Sequence, residues 1–263
     1  MSKIKLIASD LDGTLLLNGS QSCDPKLYPL IEQLASNHVF FVAASGRQYH
    51  SLQRLFSPVK DKIMYLCENG ALVMHNNKVQ VKTHIEHTLA LNICHEIINH
   101  PDCEVVASGE RTCYLIPKSK EFVNHVRDDI GNHVTVIDYP EQIKEEIIKI
   151  SYFVHPEKQK AATEQFFNKF SDTACVITVS GNSWVDFVSK GTGKGEALQQ
   201  IGLKFGIKPE EMIAFGDNEN DRTMLKFVGH PYLMETCNPT MKDISATYCK
   251  KVEESLNEIL KQL

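Results

Sequence analysis

The sequence predicts an α/β protein with a core built on a parallel sheet. That core is discontinuous in the chain and carries an inserted α+β unit with an antiparallel sheet. Three observations predict this. Short apolar runs end in polar turns and give way to helical patterns, both near the N-terminus and again after residue 190, as βαβ units do. Between these stretches strands follow strands more often without an intervening helix, which suits antiparallel pairing. The 263 residues contain no repeat and no low-complexity linker, and they are enough for one large domain or two smaller ones. The boundaries read as 1–82 with 187–263 for the core and 83–186 for the insertion.

Ile4–Ala8 reads as a buried strand that ends at Ser9-Asp10-Leu11-Asp12-Gly13-Thr14. Asp24-Pro25 opens a helical pattern, because Asp suits an N-cap and Pro the first helical position. Leu27, Leu30, Ile31 and Leu34 continue it. Val39–Ala44 is a second buried strand, ending at Ser45-Gly46-Arg47, and a helix through Leu52 and Leu55 follows until Pro58. Ile63–Cys67 is a third strand, ending at Glu68-Asn69-Gly70. Leu72–Met74 and Val79–Val81 flank His75-Asn76-Asn77-Lys78 as a hairpin.

The insertion reads as a helix His87–Asn99, strands Glu104–Ala107 and Tyr114–Ile116, and a helix Lys120–Ile130. Strands Val134–Ile137 and Ile148–Val154, a helix Glu157–Phe170, and strands Cys175–Val179 and Trp184–Val188 complete it. The core then resumes with a helix Lys194–Phe205, a strand Met212–Phe215, a helix Asn220–Phe227 and a short strand Tyr232–Met234. Val252–Leu263 is an amphipathic helix with Val252, Leu256, Ile259, Leu260 and Leu263 on its apolar face.

Composition narrows the function. Lys and Arg total 28 against 33 Asp and Glu, a net charge of −5, and no run of five like charges appears. A nucleic-acid binder usually carries a basic stripe, so no nucleic-acid partner is expected. The first acid stands at position 10, which leaves no room for a secretory signal core. No window approaches the ~20 apolar residues of a membrane span, so no membrane partner is expected. The eight cysteines are irregularly spaced, with no Cys-x-x-Cys. A cytoplasmic protein with reduced thiols, most of them buried, follows. Nothing in the pattern sets an oligomeric state.

The chemistry gathers at strand ends. Asp10 and Asp12 stand at i and i+2 just beyond a buried strand, where parallel sheets place ligand sites. Carboxylates that close are costly unless a cation joins them or one is protonated. An Asp-rich surface turn is the plainer alternative. Gly216-Asp217-Asn218-Glu219-Asn220-Asp221 follows a second buried strand with more carboxylates than a turn needs. If both strands share a sheet, Asp10, Asp12, Asp217 and Asp221 converge at one edge. All-oxygen ligands suit a hard cation, Mg²⁺ above Ca²⁺. Ser45-Gly46, at a strand-to-helix junction, offers a hydroxyl and N–H groups to an anion, though Ser-Gly is also a common turn. Lys190-Gly191-Thr192-Gly193-Lys194-Gly195 supplies cation and flexible backbone but fails the nucleotide-loop pattern; a solvated lysine is the plainer reading.

Together, Asp10-Leu11-Asp12-Gly13-Thr14, Ser45-Gly46-Arg47, Lys194-Gly195 and Gly216–Asp221 resemble the four motifs of the haloacid dehalogenase (HAD) superfamily of phosphohydrolases. With Glu68-Asn69-Gly70 they resemble its Cof-like branch of sugar-phosphate phosphatases. The resemblance spans residues 4 to about 228. It implies a Rossmann-like core, a large cap inserted after the third core strand that controls substrate access, and Mg²⁺ as cofactor. It implies Asp10 as nucleophile, already ionised and forming an aspartyl-phosphate, and Asp12 as general acid. The metal would lie on an Asp10 carboxylate oxygen, the Asp12 carbonyl and Asp217. Asp221 would stand just behind it, orienting waters or Lys194. Ser45, the Gly46 amide, Asn220, Thr14 and Lys194 would serve the phosphate, with Thr14 also holding the loop and Lys194 offsetting charge.

The implied activity is hydrolysis of small phosphorylated metabolites such as sugar phosphates. A phosphotransferase such as a phosphohexomutase shares the aspartyl-phosphate, and a catalytically idle phosphometabolite-binding regulator is the reading from another class. The resemblance fades after residue 228. Leu233–Thr240 lacks the branch's Met-Gly-Asn-Ala-like turn, and no Asp-Gly motif appears near Tyr248–Glu254. His84-Ile85-Glu86-His87 reads as surface histidines rather than a metal site. Trp184 reads as a core or hinge aromatic, and Arg47 either as reaching substrate or an aspartate or as half of an ion pair on the helix.

Overall fold

The computed structural model describes residues 3–180 and 183–263; Met1 and Ser2, part of the N-terminal stretch read above, lie outside the described residues. The chain forms two compact units. One takes the chain up to Val81 together with Gly193–Leu263, and the other is Lys82–Thr192.

The first unit opens with β1 (Leu6–Asp10), α1 (Leu27–Ser36), β2 (Phe40–Ala44), α2 (Tyr49–Leu55), β3 (Ile63–Cys67), β4 (Leu72–His75) and β5 (Lys78–Lys82). Every residue of β1 and β3 is buried, which is why they read as unbroken apolar runs. Asn76 and Asn77 close the β4–β5 hairpin at φ of 51° and 57°, the left-handed values that a two-residue turn needs. Helix α1 starts two residues later than the Pro25 position expected. The Asp24 side chain accepts the Lys26 N–H and its carbonyl the Leu27 N–H, so 24–27 is a turn ahead of the helix.

The second unit contains α3 (His87–Asn99), β6 (Glu104–Ser108), β7 (Cys113–Leu115), α4 (Lys120–Asn124), β8 (Val134–Val136), β9 (Lys149–Phe153), α5 (Pro156–Phe170), β10 (Cys175–Val179) and β11 (Trp184–Ser189). Its sheet runs β10-β11-β9-β6-β7-β8 and is antiparallel except for the β7–β8 pair. Ile93, Ile97, Phe166 and Phe170 of α3 and α5 pack on Val105, Ile150, Tyr152 and Phe187 of the sheet. The helix expected over 120–130 is α-helical only to Asn124 and continues as a π-turn, His125–Asp129. Trp184 stacks with Phe122 and Phe153, so it is a packing aromatic. Glu86 caps α3 by accepting the Thr88 and Leu89 N–H groups, and His84 stands 3.6 Å from Glu146.

The chain returns to the first unit with α6 (Lys194–Phe205), β12 (Met212–Gly216), α7 (Arg222–Phe227), β13 (His230–Met234), β14 (Thr247–Cys249) and α8 (Val252–Leu260). The completed sheet runs β14-β13-β12-β1-β2-β3-β4-β5. Its strands are parallel from β14 through β3, and β4 is antiparallel to β3. Leu6 stands beside both Met212 and Phe40, so β1 is flanked by β12 and β2, and the carboxyl ends of all three meet at one edge. The eight cysteines are all buried as free thiols. No helix among the described residues is long and apolar enough to cross a membrane.

Candidate active site

Asp10 is the last residue of β1, Ser45 follows β2, Lys194 opens α6, and Asp217 follows β12. Lys194 is fully buried, and its Nζ donates to Asp10 Oδ1 at 2.5 Å and to Asp221 Oδ1 at 2.6 Å. The other Asp221 oxygen accepts the N–H groups of Asp217 and Asn218, at 3.0 and 3.2 Å. This capping replaces the helix start expected at Asn220. Glu219–Asp221 is a single 3-10 turn, with Asn220 half-buried in it, and α7 begins at Arg222. Asp221 therefore holds Lys194 and the Asp217 loop at once. Asp10, Asp217 and Asp221 each bring one carboxylate oxygen within 4.8 Å of the others.

Gly13 makes that approach possible. Its φ is +91°, and a Cβ there would lie 2.3 Å from Asp217 Oδ2. Thr14 is buried, and its hydroxyl donates to Asp217 Oδ1 at 3.0 Å, so it holds the carboxylate of the opposite loop. Ser45 Oγ accepts the Arg47 N–H at 3.2 Å, which leaves the hydroxyl proton able to donate to an anion.

The electrostatics follow from burial and crowding. Burial pushes the Asp10 carboxyl well above the usual range and the Asp221 charge pushes it further, against the pull of Lys194. Asp217 is pushed up to about 6 by burial and then by Asp221. Burial alone would lower the Lys194 ammonium, but Asp10 and Asp221 outweigh it and raise it. Burial and like charge thus work against the ionised form of Asp10, while Lys194 and any further cation favour it.

Asp12 does not join this cluster. Its carboxylate is exposed and forks onto Arg47, with Nη2 to Oδ1 at 2.6 Å and Nε to Oδ2 at 3.1 Å. Three further backbone contacts brace the loops of the site. The Asn238 N–H donates to the Asp217 carbonyl at 2.8 Å, so the stretch that departs from the branch pattern buttresses the acidic loop. The Glu68 and Asn69 N–H groups donate to the Arg47 and Ser45 carbonyls, at 3.1 and 3.0 Å. The Asn238-Pro239 pair was the available hint for the first, since Asn238 caps a 3-10 turn whose first residue is Pro239.

Residues 7–260 match the family model for haloacid dehalogenase-like hydrolases. The chain belongs to that family. A 5-amino-6-(5-phospho-D-ribitylamino)uracil phosphatase from Escherichia coli, YbjI, is 26% identical over 88% of this chain and 85% of its own. An HMP-PP phosphatase from Serratia proteamaculans is 23% identical over 91% of this chain and 87% of its own. A solved structure from Eubacterium rectale superposes with a TM-score of 0.86 and 28% identity, over 99% of both chains. Membership of the HAD phosphatases, expected from the strand-end motifs, is thereby met, as is the α/β core with a second sheet.

Proposed function

We propose that this chain is a Mg²⁺-dependent phosphatase that hydrolyses small phosphorylated metabolites, sugar phosphates among them, through an aspartyl-phosphate on Asp10. The observation that carries the reading is the Asp10–Lys194–Asp221 chain of contacts at 2.5 and 2.6 Å, with Asp217 alongside. It sets a carboxylate nucleophile against a fixed ammonium at the carboxyl end of the central strand. An Asp10 oxygen attacks phosphorus as the bond to the leaving oxygen breaks, and Asp12 gives that oxygen its proton. Water then attacks the aspartyl-phosphate, with Asp12 taking its proton, and phosphate leaves. Ser45 Oγ and the Gly46 amide hold phosphate oxygens, assisted by Asn220, while Lys194 offsets their charge. Thr14 acts on phosphate only through Asp217, to which its hydroxyl is given.

The donor set fits a hard cation. Three carboxylate oxygens lie within 4.8 Å of one another, and burial with like charge raises Asp10 and Asp217, a cost that a cation relieves. Asp10 and Asp217 would hold it together with the Asp12 carbonyl, while Asp221 stays on Lys194. When bound, Mg²⁺ offsets the repulsion between carboxylate and phosphate. Residues 83–186 are read as the unit that governs access, with 1–82 and 187–263 as the catalytic core. Buried free thiols support a reducing, cytoplasmic setting.

The test is phosphate release from a panel of phosphorylated metabolites with Mg²⁺ and with chelator. Turnover that needs the metal is expected. No release from any compound, p-nitrophenyl phosphate included, refutes the reading, and transfer of phosphate to a sugar hydroxyl instead of water moves it to a phosphotransferase.

A further inference from the structure

The reaction above assigns Asp12 a proton to move but leaves Arg47 without a part. Both oxygens of Asp12 accept from Arg47, the Nη2–Oδ1 contact at 2.6 Å being shorter than the Nε–Oδ2 contact at 3.1 Å. Arg47 stands on a fixed base. Its N–H donates to Ser45 Oγ, and its carbonyl accepts from the Glu68 N–H. Glu68 and Asn69 hold φ of 51° and 56°, a conformation that is costly outside glycine and persists only where surroundings impose it. The turn that presents Ser45 and Gly46 is thus tied through one side chain to the carboxylate two residues beyond the nucleophile.

We propose that Arg47 is a positioning residue that sets the pose of Asp12 relative to the phosphate-binding turn. This rests on the phosphatase reading. A guanidinium only donates, so while both contacts stand, both Asp12 oxygens act as acceptors. Oδ1 stays on the short contact, and Oδ2 leaves the longer one to serve the leaving group. The planar fork holds the carboxylate's plane as this happens, which a lysine's point charge does not. An exposed ion pair of this kind adds little to stability, so its removal leaves the fold in place.

The experiment compares wild type, Arg47→Gln, Arg47→Lys, Asp12→Ala and the Asp12→Ala/Arg47→Gln double variant. The substrates are p-nitrophenyl phosphate and glycerol phosphate, and the readout is kcat/KM. In a two-step covalent reaction that ratio covers only the steps through departure of the leaving group. An alkoxide needs a proton to leave and p-nitrophenolate does not. Arg47→Gln is expected to lose about tenfold more on glycerol phosphate than on p-nitrophenyl phosphate, a part of the roughly 10²–10⁴-fold that general acid catalysis contributes, because Asp12 itself remains. Arg47→Lys should not restore the difference, and Arg47→Gln should cost less than about threefold once Asp12 is absent. Equal losses on both substrates, full recovery with lysine, or additive losses in the double variant would overturn the assignment. Wild type inactive on p-nitrophenyl phosphate and on every alkyl phosphate of the metabolite panel, or Asp10→Asn as active as wild type, would overturn the phosphatase reading together with it.

Discussion

Two lysines are buried among the described residues, one in each unit, and their surroundings differ in charge balance. Lys149 on β9 lies 3.6 Å from Asp186 on β11. Asp186 also accepts the hydroxyls of Ser151 and Ser180, each at 2.6 Å. Here the ammonium faces a buried carboxylate on a nearby strand, and two hydroxyls also serve that carboxylate. Lys194 instead meets Asp10 and Asp221 directly, with Asp217 within 4.8 Å of both. Three carboxylates share that ammonium, and two of them are pushed above their ordinary range. In the core the carboxylates outnumber the ammonium, a burial cost that a further cation would relieve.

The comparison can be broken in four ways. Asp10→Asn removes the proposed nucleophile, and turnover on any substrate should fall by at least about 10³-fold. Phosphate release near the wild-type rate would leave the surplus without a catalytic purpose. Lys194→Met strips the buried carboxylates of their ammonium and should cost about 3–5 kcal/mol in urea unfolding, with part of the loss recovered in millimolar Mg²⁺. A variant as stable as wild type would show that the carboxylates do not need the ammonium.

The third is the pH dependence of stabilisation by magnesium. Asp10 and Asp217 have folded pKa values raised above their unfolded ones, to about 6 for Asp217. Between the ordinary carboxylate value of about 4 and the raised value, the folded chain binds more protons than the unfolded one. The contribution of these groups to cation-free stability therefore falls as pH rises through that window. A metal binds the ionised form, so the rise in Tm on adding Mg²⁺ should be larger at pH 7 than at pH 5. An equal rise at both would detach the surplus charge from the cation. Smallest is Lys149→Met, expected to cost about 1–3 kcal/mol because Asp186 keeps its two serine hydroxyls. A loss matching that of Lys194→Met would erase the distinction between the two sites.

Much of this was legible in the residues themselves. β3, α3, α6 and β10 begin and end where apolar period, caps and turn residues say they should. Asp10 and Asp217 could be placed at one edge because the first ends and the second follows a fully buried strand, and buried strands in βαβ order run parallel. What escaped depends on contacts between distant segments. β14 is short and half-exposed at the sheet edge, so Thr247–Cys249 has no apolar run to announce it. The start of α7 slipped because Asp221, read only as orienting waters or Lys194 behind a metal, spends one oxygen capping the turn before the helix. The Arg47–Asp12 fork joins residues 35 apart in the chain. Spacing offers no hint of it, and the sequence left Arg47 divided between substrate, an aspartate and an ion pair on the helix.

The pairing of β1 with β12 has a consequence for how the molecule comes into being. Leu6 and Met212 are neighbours in the sheet, yet the whole second unit is synthesised between them. Lys82–Thr192 is continuous and can close its own core early, whereas β1 must wait about two hundred residues for one of its flanking strands. Until that strand arrives the Asp10–Lys194–Asp221 contacts cannot be complete, and a ribosome-bound fragment that stops short of Lys194 holds none of them.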